Sequence, residues 1–252
     1  MNLKTLIFIF SLAMLSCTQP HQEKTSILVF TKTNDFRHDA IPAGKEALKK
    51  LGKDNNWHLN FTEDSLFFTP ENLNYFDAVV FLLTSGDILD SDQQNALKHY
   101  VETGGGLVTI HTGTVTENNW PWFVEAIGAI FTGHPPVQEG KLIIEDPTHP
   151  ATSFLPDSIW ILEDEWYSFD RNPRDDVHVL ISIDENSYDV DDNRWFPEAN
   201  QRMGDHPLVW YRIVGEGRVF QTALGHVPQM YADTLFLQHL KGAIEWGIKK
   251  SD

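Results

Sequence analysis

Apolar and polar positions divide the first half of the chain into short buried runs and stretches with helical spacing. The runs Ser26–Thr31 and Asp77–Leu83 are largely apolar, which is typical of strands covered on both faces. Apolar residues at helical spacing over 40–51, followed by Gly52, predict a crossover helix between them. The other predicted elements are a weaker strand at 57–61, a helix capped by Asp90–Asp92 and ended by Gly104–Gly106, and a strand at 107–110.

This alternation of strands and helices predicts an α/β fold. The expected architecture is a doubly wound parallel sheet with right-handed crossovers and helices on both faces. The second half has a different pattern, with short strands separated by Pro, Asp and Gly. No internal repeat or linker divides the chain, so we predict one domain over 26–250 with added β-hairpins in its second half. Its predicted elements are strands at 138–145, 159–162, 177–183, 207–214 and 217–223, the last two forming a hairpin, and a helix at about 233–249.

The N-terminus predicts export. Lys4 precedes an apolar stretch, Leu6–Leu15, that is too short to span a bilayer. Leu15-Ser16-Cys17 then resembles a bacterial lipoprotein signal. We therefore predict a signal peptide over 1–17 with Cys17 lipidated, a polar tether over 18–25, and a lipid anchor to the cell envelope, in the periplasm or at the outer membrane. The alternative is a secretory peptide cleaved nearby, with Cys17 incidental.

Charge and cysteine content exclude several kinds of site. The 252 residues carry a formal net charge of −17, which repels phosphate backbones, so no nucleic-acid partner is expected. Cys17 is the only cysteine. An intramolecular disulfide, a thiolate nucleophile and a cysteine-ligated metal are therefore excluded from the folded body.

Five histidines follow predicted strands or lie in rigid turns. His111 comes directly after strand 107–110, at the sheet edge where open α/β sheets bind ligands, and His226 follows Gly225 at another strand end. Such imidazoles can exchange protons near neutral pH. At His111 the alternative is a structural histidine bonded to a backbone carbonyl. The five are His38, His111, His134, His206 and His226.

Other polar groups accompany these histidines. Asp35 lies on the loop after the first strand, and the amides of Ser85 and Gly86 follow strand 77–83, where they suit a hydroxyl or an anion. Carboxylates stand beside aromatic residues in Glu163-Asp164-Glu165-Trp166-Tyr167. Aromatic faces stack on sugar rings, and carboxylates bind hydroxyls or carry protons. Helix caps and a solvated acidic turn are the structural alternatives.

In their order along the chain, these motifs resemble the ThuA-like family, which is named for a trehalose-utilisation protein. The resemblance covers about 26–249 and implies a flavodoxin-like fold akin to class I glutamine amidotransferases. Those enzymes need a nucleophilic cysteine where this chain has His111-Thr112, so no glutaminase activity is expected. The resemblance also implies carbohydrate use, especially of trehalose and 3-oxo-glycosides. It rests on Asn34-Asp35-Phe36-Arg37-His38, Gly105–Thr114, Phe131-Thr132-Gly133-His134-Pro135, Asp164-Glu165-Trp166-Tyr167, Asp205–Trp210 and Ala223-Leu224-Gly225-His226.

The leading hypothesis is an enzyme, either a hydrolase, a lyase or an isomerase, acting on a disaccharide, glycoside or 3-oxo-sugar. His111, His226 and Glu165 are its predicted catalytic residues. A ketone acidifies the neighbouring C–H bond of a sugar ring, so a histidine base can start elimination or isomerisation. The predicted substrate-binding residues are Asp35, His38, Ser85, Gly86, Thr112, His134, Trp166, Tyr167, Asp205 and His206.

Two alternatives remain open. Metal-assisted chemistry would use a divalent ion such as Zn²⁺ on His111, His226 and His134. No short His-x-x-x-His spacing is present, so these ligands would have to converge through the fold. A non-catalytic sugar-binding lipoprotein would instead use aromatic residues, including Trp120, Trp122, Trp166 and Tyr167.

Overall fold

A nine-stranded mixed sheet forms the centre of the computed structural model, which describes residues 24–248. The strands are β1 Ser26–Phe30, β2 His58–Thr62, β3 Ala78–Leu82, β4 Gly106–Ile110, β5 Phe131–Gly133, β6 Gln138–Ile144, β7 Ile159–Asp164, β8 Ser168–Phe169, β9 His178–Ile183, β10 Pro207–Val214 and β11 Gly217–Thr222. The strand order is β2-β1-β3-β4-β11-β10-β9-β6-β7, and β5 pairs with β8 in a small separate sheet.

Helices cover the two faces of this sheet. The helices are α1 Ile41–Asn55, α2 Pro70–Leu73, α3 Ser91–Glu102, α4 Pro121–Ile127 and α5 Thr234–Gly247. Along β1 the side chains alternate: Ile27 and Val29 pack into one core with α1 and α5, whereas Leu28 and Phe30 pack into another with α2, α3 and α4. Burial on both faces explains why β1 and β3 are so largely apolar.

The sheet confirms the predicted fold class. Its first five strands, β2-β1-β3-β4-β11, are parallel, and their order is that of a flavodoxin-like sheet. The other four, β10, β9, β6 and β7, are antiparallel additions from the second half of the chain. The predicted hairpin of β10 and β11 is present. Asp90 caps α3 as predicted, because its side chain accepts from the amides of Asp92 and Gln93.

One predicted helix boundary is wrong. The helix expected to stop before Gly52 continues to Asn55, and Asn56 ends it in a left-handed conformation with φ 59°. Gly52 is therefore inside α1, where it lets the helix approach β2. A Cβ at this glycine would lie 2.8 Å from a methyl group of Leu59. The glycine serves close packing and does not end the helix.

The predicted signal peptide, Cys17 and tether residues 18–23 lie outside the described residues. Within 24–248, no helix is both long enough and apolar enough to cross a membrane.

Loops from the carboxyl ends of the parallel strands meet at one edge of the sheet. Thr33, after β1, forms a parallel bridge with Ser85, after β3. Gly86 forms another with Thr116, which follows β4. Strand order reverses between β1 and β3, and open α/β sheets bind ligands outside such a reversal. These loops therefore place polar residues where a ligand is expected.

Candidate active site

His111 occupies the sharp turn directly after β4. Its backbone angles, φ 67° and ψ −72°, lie in the positive-φ γ-turn region that residues with a side chain rarely adopt. Its amide donates to the carbonyl oxygen of Thr222 on β11, at 2.8 Å. Its Nδ1 lies 2.7 Å from the carbonyl oxygen of Ala223. Because a carbonyl only accepts, Nδ1 carries the proton and Nε2 is the acceptor.

Tyr167 closes over the other nitrogen of this imidazole. Its hydroxyl lies 2.7 Å from His111 Nε2 and therefore donates to it. Burial raises the pKa of Tyr167 well above its ordinary value, so the hydroxyl keeps its proton at neutral pH. His206 supports this residue from behind, since His206 Nε2 lies 2.8 Å from the Tyr167 carbonyl oxygen.

The Glu165 carboxylate lies between three imidazoles. Its Oε2 is 2.9 Å from His226 Nδ1 and 3.7 Å from His111 Nε2, and its Oε1 is 3.4 Å from His134 Nδ1. Burial by itself would raise the pKa of Glu165. The close His111 and His226 imidazoles outweigh burial and hold this pKa well below its usual range. Glu165 is therefore an ionised carboxylate in a largely buried position.

Asp164, the last residue of β7, positions His226. Its two carboxylate oxygens accept from the amides of Gly225, at 2.7 Å, and His226, at 3.0 Å. Gly225 has φ 120°, and a Cβ there would lie 2.8 Å from the Tyr231 hydroxyl, so the turn requires glycine. This turn delivers the His226 imidazole to Glu165. Burial lowers the pKa of His226, but the Glu165 carboxylate outweighs burial and the net shift is upward.

His38, on the loop between β1 and α1, packs edge-on against two of these imidazoles. Its ring centroid is 4.8 Å from that of His111 and 5.2 Å from that of His226. Burial, reinforced by these two neighbours, lowers the pKa of His38 to about 2, so its ring is neutral. Within residues 24–248, His38 Nδ1 is buried and has no hydrogen-bond partner.

His134 approaches Glu165 from the opposite side. Its Nδ1 lies 2.9 Å from the carbonyl oxygen of Pro135 and donates to it, which leaves Nε2 as the basic nitrogen. Burial lowers the pKa of His134, although Glu165 partly opposes the shift. His134 is therefore a neutral imidazole at neutral pH.

These side chains border a cavity of about 450 Å³, a volume within the range of small-molecule sites. Its polar floor contains Glu165 and His226, and aromatic rings form most of its walls. His111 lies behind this lining and is completely buried. The lining residues are Phe36, His38, Ser85, Thr112, Val115, Phe131, His134, Glu165, Tyr167, Trp195, Phe196 and His226.

The cavity brings together seven of the residues that the sequence predicted. They are His38, Ser85, Thr112, His134, Glu165, Tyr167 and His226. Asp35 and Gly86 pack against each other in the adjoining loops. A Cβ at Gly86, where φ is 73°, would lie 2.7 Å from Asp35 Oδ2.

The other predicted substrate-binding residues do not line the cavity. Trp166 is completely buried, and its ring centroid lies 6.2 Å from that of Tyr188. Asp205 pairs with Arg174 on the surface, at 2.5 Å. His206 is buried between Tyr167 and Glu185, whose Oε1 lies 2.9 Å from His206 Nδ1. The aromatic residues Trp120 and Trp122 pack with α3 in the second core.

Five cavity residues were not predicted as site residues: Phe36, Val115, Phe131, Trp195 and Phe196. Phe36 and Phe131 at least stand in motifs that carry the family resemblance, whereas the other three were missed altogether. Trp195 and Phe196 come from the acidic loop between β9 and β10, which has no apolar periodicity. Their rings lie 5.5 Å and 4.9 Å from that of His134. The one available sequence signal was an aromatic pair inside a polar segment. In the structure Trp195 is 55% exposed.

Four of these groups converge closely enough to share a cation. One ligand atom from each of His38, His111, Glu165 and His226 lies within 4.8 Å of the others. The predicted metal ligands were His111, His226 and His134; the cluster contains the first two and has His38 and Glu165 in place of His134. An imidazole–carboxylate cluster of this kind can either move protons or hold a divalent ion.

Solved structures share this fold. A ThuA-like protein from Bacteroides uniformis ATCC 8492 superposes with a TM-score of 0.72 at 24% identity, covering 91% of this chain and 94% of that chain. A ThuA-like protein from Parabacteroides merdae ATCC 43184 gives 0.69 at 21% identity, covering 91% and 93%. A cytoplasmic protein from Salmonella typhimurium LT2 gives 0.61 at 17%, covering 90% and 100%. At these identities the likeness establishes the fold alone.

Among curated proteins, none matches the sequence significantly. The family model for ThuA, which is described as trehalose utilisation, matches residues 26–247. This range includes every strand and helix of the described structure and all the residues that line the cavity. The chain therefore belongs to the ThuA family.

Proposed function

We propose that this protein is an enzyme that acts on a disaccharide, glycoside or 3-oxo-sugar by histidine–carboxylate acid–base chemistry. The observation that supports it most is the Glu165 carboxylate, held within 3.7 Å of three imidazoles at the floor of an aromatic cavity. Clustered titratable groups with shifted pKa values in a cleft are typical of catalytic sites. Packing of an apolar core does not account for such a cluster of titratable groups.

The cavity walls favour a sugar ring as the substrate. Phe36 and Trp195 line the cavity and are 66% and 55% exposed, so their faces are available for stacking. Thr112 offers a polar partner, because its buried Oγ1 has no hydrogen-bond partner within the described part of the chain. A ring hydroxyl at this position would satisfy it.

A 3-oxo-glycoside suits these groups chemically. Its C3 ketone acidifies the C2–H bond, and one cavity-lining imidazole, His134 or His226, would take that proton. The electron pair then forms the C1–C2 double bond and expels the glycosidic oxygen from C1. That oxygen recovers the proton from the imidazolium. Glu165 contacts both imidazoles and would stabilise the imidazolium that exists between the two proton transfers.

His111 would act in this scheme as a positioning residue. It does not line the cavity, and its Nε2 fixes the Tyr167 hydroxyl at 2.7 Å. With its proton directed to His111, the Tyr167 oxygen can accept from a substrate hydroxyl. Removing the His111 imidazole is therefore expected to lower turnover more than it lowers substrate binding.

The test is NMR of the full-length protein incubated with trehalose and with its 3-oxo derivative. Product formation by the wild type and by His58→Ala, but not by Glu165→Gln or His226→Ala, is the expected result. His58 is a suitable control because it is an exposed histidine on β2, outside the cavity lining. Turnover that persists in both site variants would refute the assignment. Saturable binding without turnover would favour a sugar-binding lipoprotein instead.

We also propose that the protein is exported and anchored to the cell envelope by a lipid on Cys17. The support is the sequence itself, an apolar stretch followed by Leu15-Ser16-Cys17. Growth with a labelled fatty acid should label the wild type and leave Cys17→Ser unlabelled. Equal labelling of the two proteins would refute the lipid anchor and would have no bearing on the proposed reaction.

A further inference from the structure

We propose that His38, His111, His226 and Glu165 form a site for one divalent transition-metal ion, with Zn²⁺ the best match. The site itself stands on the geometry of these four side chains. The catalytic use suggested for the ion rests on the proposed function, and the two are tested separately below.

The orientation of His111 is the first argument. Metal-bound histidines almost always donate their second ring nitrogen to a backbone carbonyl or carboxylate, which fixes the ring and the lone pair. His111 Nδ1 donates in this way to Ala223, so Nε2 carries the lone pair, and this nitrogen lies 3.7 Å from Glu165 Oε2. On ion binding, the Tyr167 hydroxyl that now donates to Nε2 would be released toward the cavity.

Unpartnered ring nitrogens are the second argument. His38 is more than nine-tenths buried, yet its Nδ1 has no hydrogen-bond partner anywhere in 24–248. His226 Nδ1 lies 2.9 Å from Glu165 Oε2, but the two atoms are out of line for a hydrogen bond, and no other described group provides one. Buried polar atoms without partners are costly and rare. Imidazoles with an unpartnered ring nitrogen are available to bind a cation.

The distances fit a small coordination sphere. With bonds of about 2.0–2.1 Å, neighbouring ligands of tetrahedral zinc lie about 3.3 Å apart. Glu165 Oε2 lies 2.9 Å from His226 Nδ1 and 3.7 Å from His111 Nε2, on either side of that value. The widest pair, at 4.8 Å, must close by about 1.5 Å, which is a side-chain adjustment.

The donor set points to the kind of ion. Three neutral imidazoles and one carboxylate carry a single negative charge, which a divalent cation more than balances. Imidazole suits zinc, copper, iron and nickel, whereas calcium and magnesium prefer oxygen ligands. Asp164 supplies the outer support, because it holds the backbone of the turn that carries His226.

The ion would narrow the substrate class to a sugar with a carbonyl group. A bound divalent cation polarises a carbonyl and stabilises the negative charge that forms on its oxygen when the neighbouring C–H bond breaks. His226 would then be a ligand, so His134, which is outside the cluster, would take the C2 proton and return it to the departing C1 oxygen. A metal ion on His226 would therefore leave His134 as the base that removes the C2 proton.

The experiment measures metal binding without any sugar. The full-length protein is stripped with EDTA, desalted and titrated with Zn²⁺, and bound metal is counted by plasma mass spectrometry. We expect one tightly bound equivalent, and His38→Ala and Glu165→Gln should weaken it by more than the ~10–100-fold that loss of an outer-shell partner costs. Substitution with Co²⁺ should give the visible absorption of a four-coordinate site in the wild type and in His58→Ala, but not in the cluster variants.

His58→Ala is the matched control, since it removes an exposed histidine from β2. If His38→Ala does not fold by circular dichroism, His226→Ala provides the same test, because its side chain is 24% exposed. Failure of Zn²⁺, Co²⁺, Ni²⁺ and Mn²⁺ to bind stoichiometrically would overturn the inference, as would unchanged affinity in the cluster variants. Metal binding without sugar turnover would refute only the proposed function. EDTA-resistant turnover in a metal-free protein would refute only the catalytic use of the ion.

Discussion

The backbone of His111 gives a direct test of how the turn after β4 is built. At φ 67° and ψ −72°, a residue with a Cβ stores strain of order 1–3 kcal/mol, which glycine avoids. At an unstrained position the opposite holds, because replacing alanine with glycine costs about 0.4–1 kcal/mol through the entropy of the unfolded chain. His111→Gly and His111→Ala remove the same imidazole, so their difference isolates the backbone.

We expect His111→Gly to be more stable than His111→Ala by about 1–2 kcal/mol. This difference is the strain energy that glycine avoids minus the entropic cost of having glycine in the unfolded chain. Urea unfolding at pH 7 followed by tryptophan fluorescence measures the difference, since the chain has 8 Trp. The same pair at His58, which starts strand β2 at an exposed position, should show the reverse order. If His111→Ala equals or exceeds His111→Gly in stability, the turn is not strained and the reasoning fails.

The site and the core supply three further predictions. Tyr167→Phe removes the hydroxyl that donates to His111, so it should sharply reduce turnover in the NMR assay while costing about 1 kcal/mol in urea unfolding. Trp195→Ala removes a stacking face that is 55% exposed, so calorimetry should show sugar binding weakened ~3–10-fold with an unchanged Tm. Burial lowers the pKa of His239 to about 4. The unfolded chain then binds more protons below pH 6.5, and stability falls as pH drops toward 4. His239 should account for about 2 kcal/mol of the stability lost between pH 7 and 5, and His239→Gln should remove that share.

The parallel part of the sheet was predictable because the local sequence patterns of its strands and helices agree with the positions of these elements in the fold. β1 and β3 are largely apolar since both faces are covered, and the capping box at Asp90 marks the start of α3. Helix α4 was missed. It has only seven residues, with Pro121 in its first turn and Gly128 after it, too short for a helical period to stand out.

The site was predictable only in part. His111, His226 and His38 were found because each follows a parallel strand, and parallel strands end at one edge of the sheet. Trp195 and Phe196 were not, because their place depends on how the loop between β9 and β10 folds back over β5. Which imidazoles converge on Glu165 likewise depends on the antiparallel strands. A single sequence has no local signal for contacts so far apart along the chain.

The antiparallel half of the sheet completes the site. The parallel strands deliver three imidazoles, His38, His111 and His226, and no charge to balance a proton or a cation. The ionised carboxylate of Glu165 follows β7, the outermost antiparallel strand, although its sheet position is far from β4. Tyr167 and His134 come from the same added half. Three neutral imidazoles without Glu165 could neither stabilise an imidazolium nor offer a charged ligand to a divalent ion. Both proposed chemistries therefore depend on the strands added to the flavodoxin-like core, and the parallel core alone would have neither.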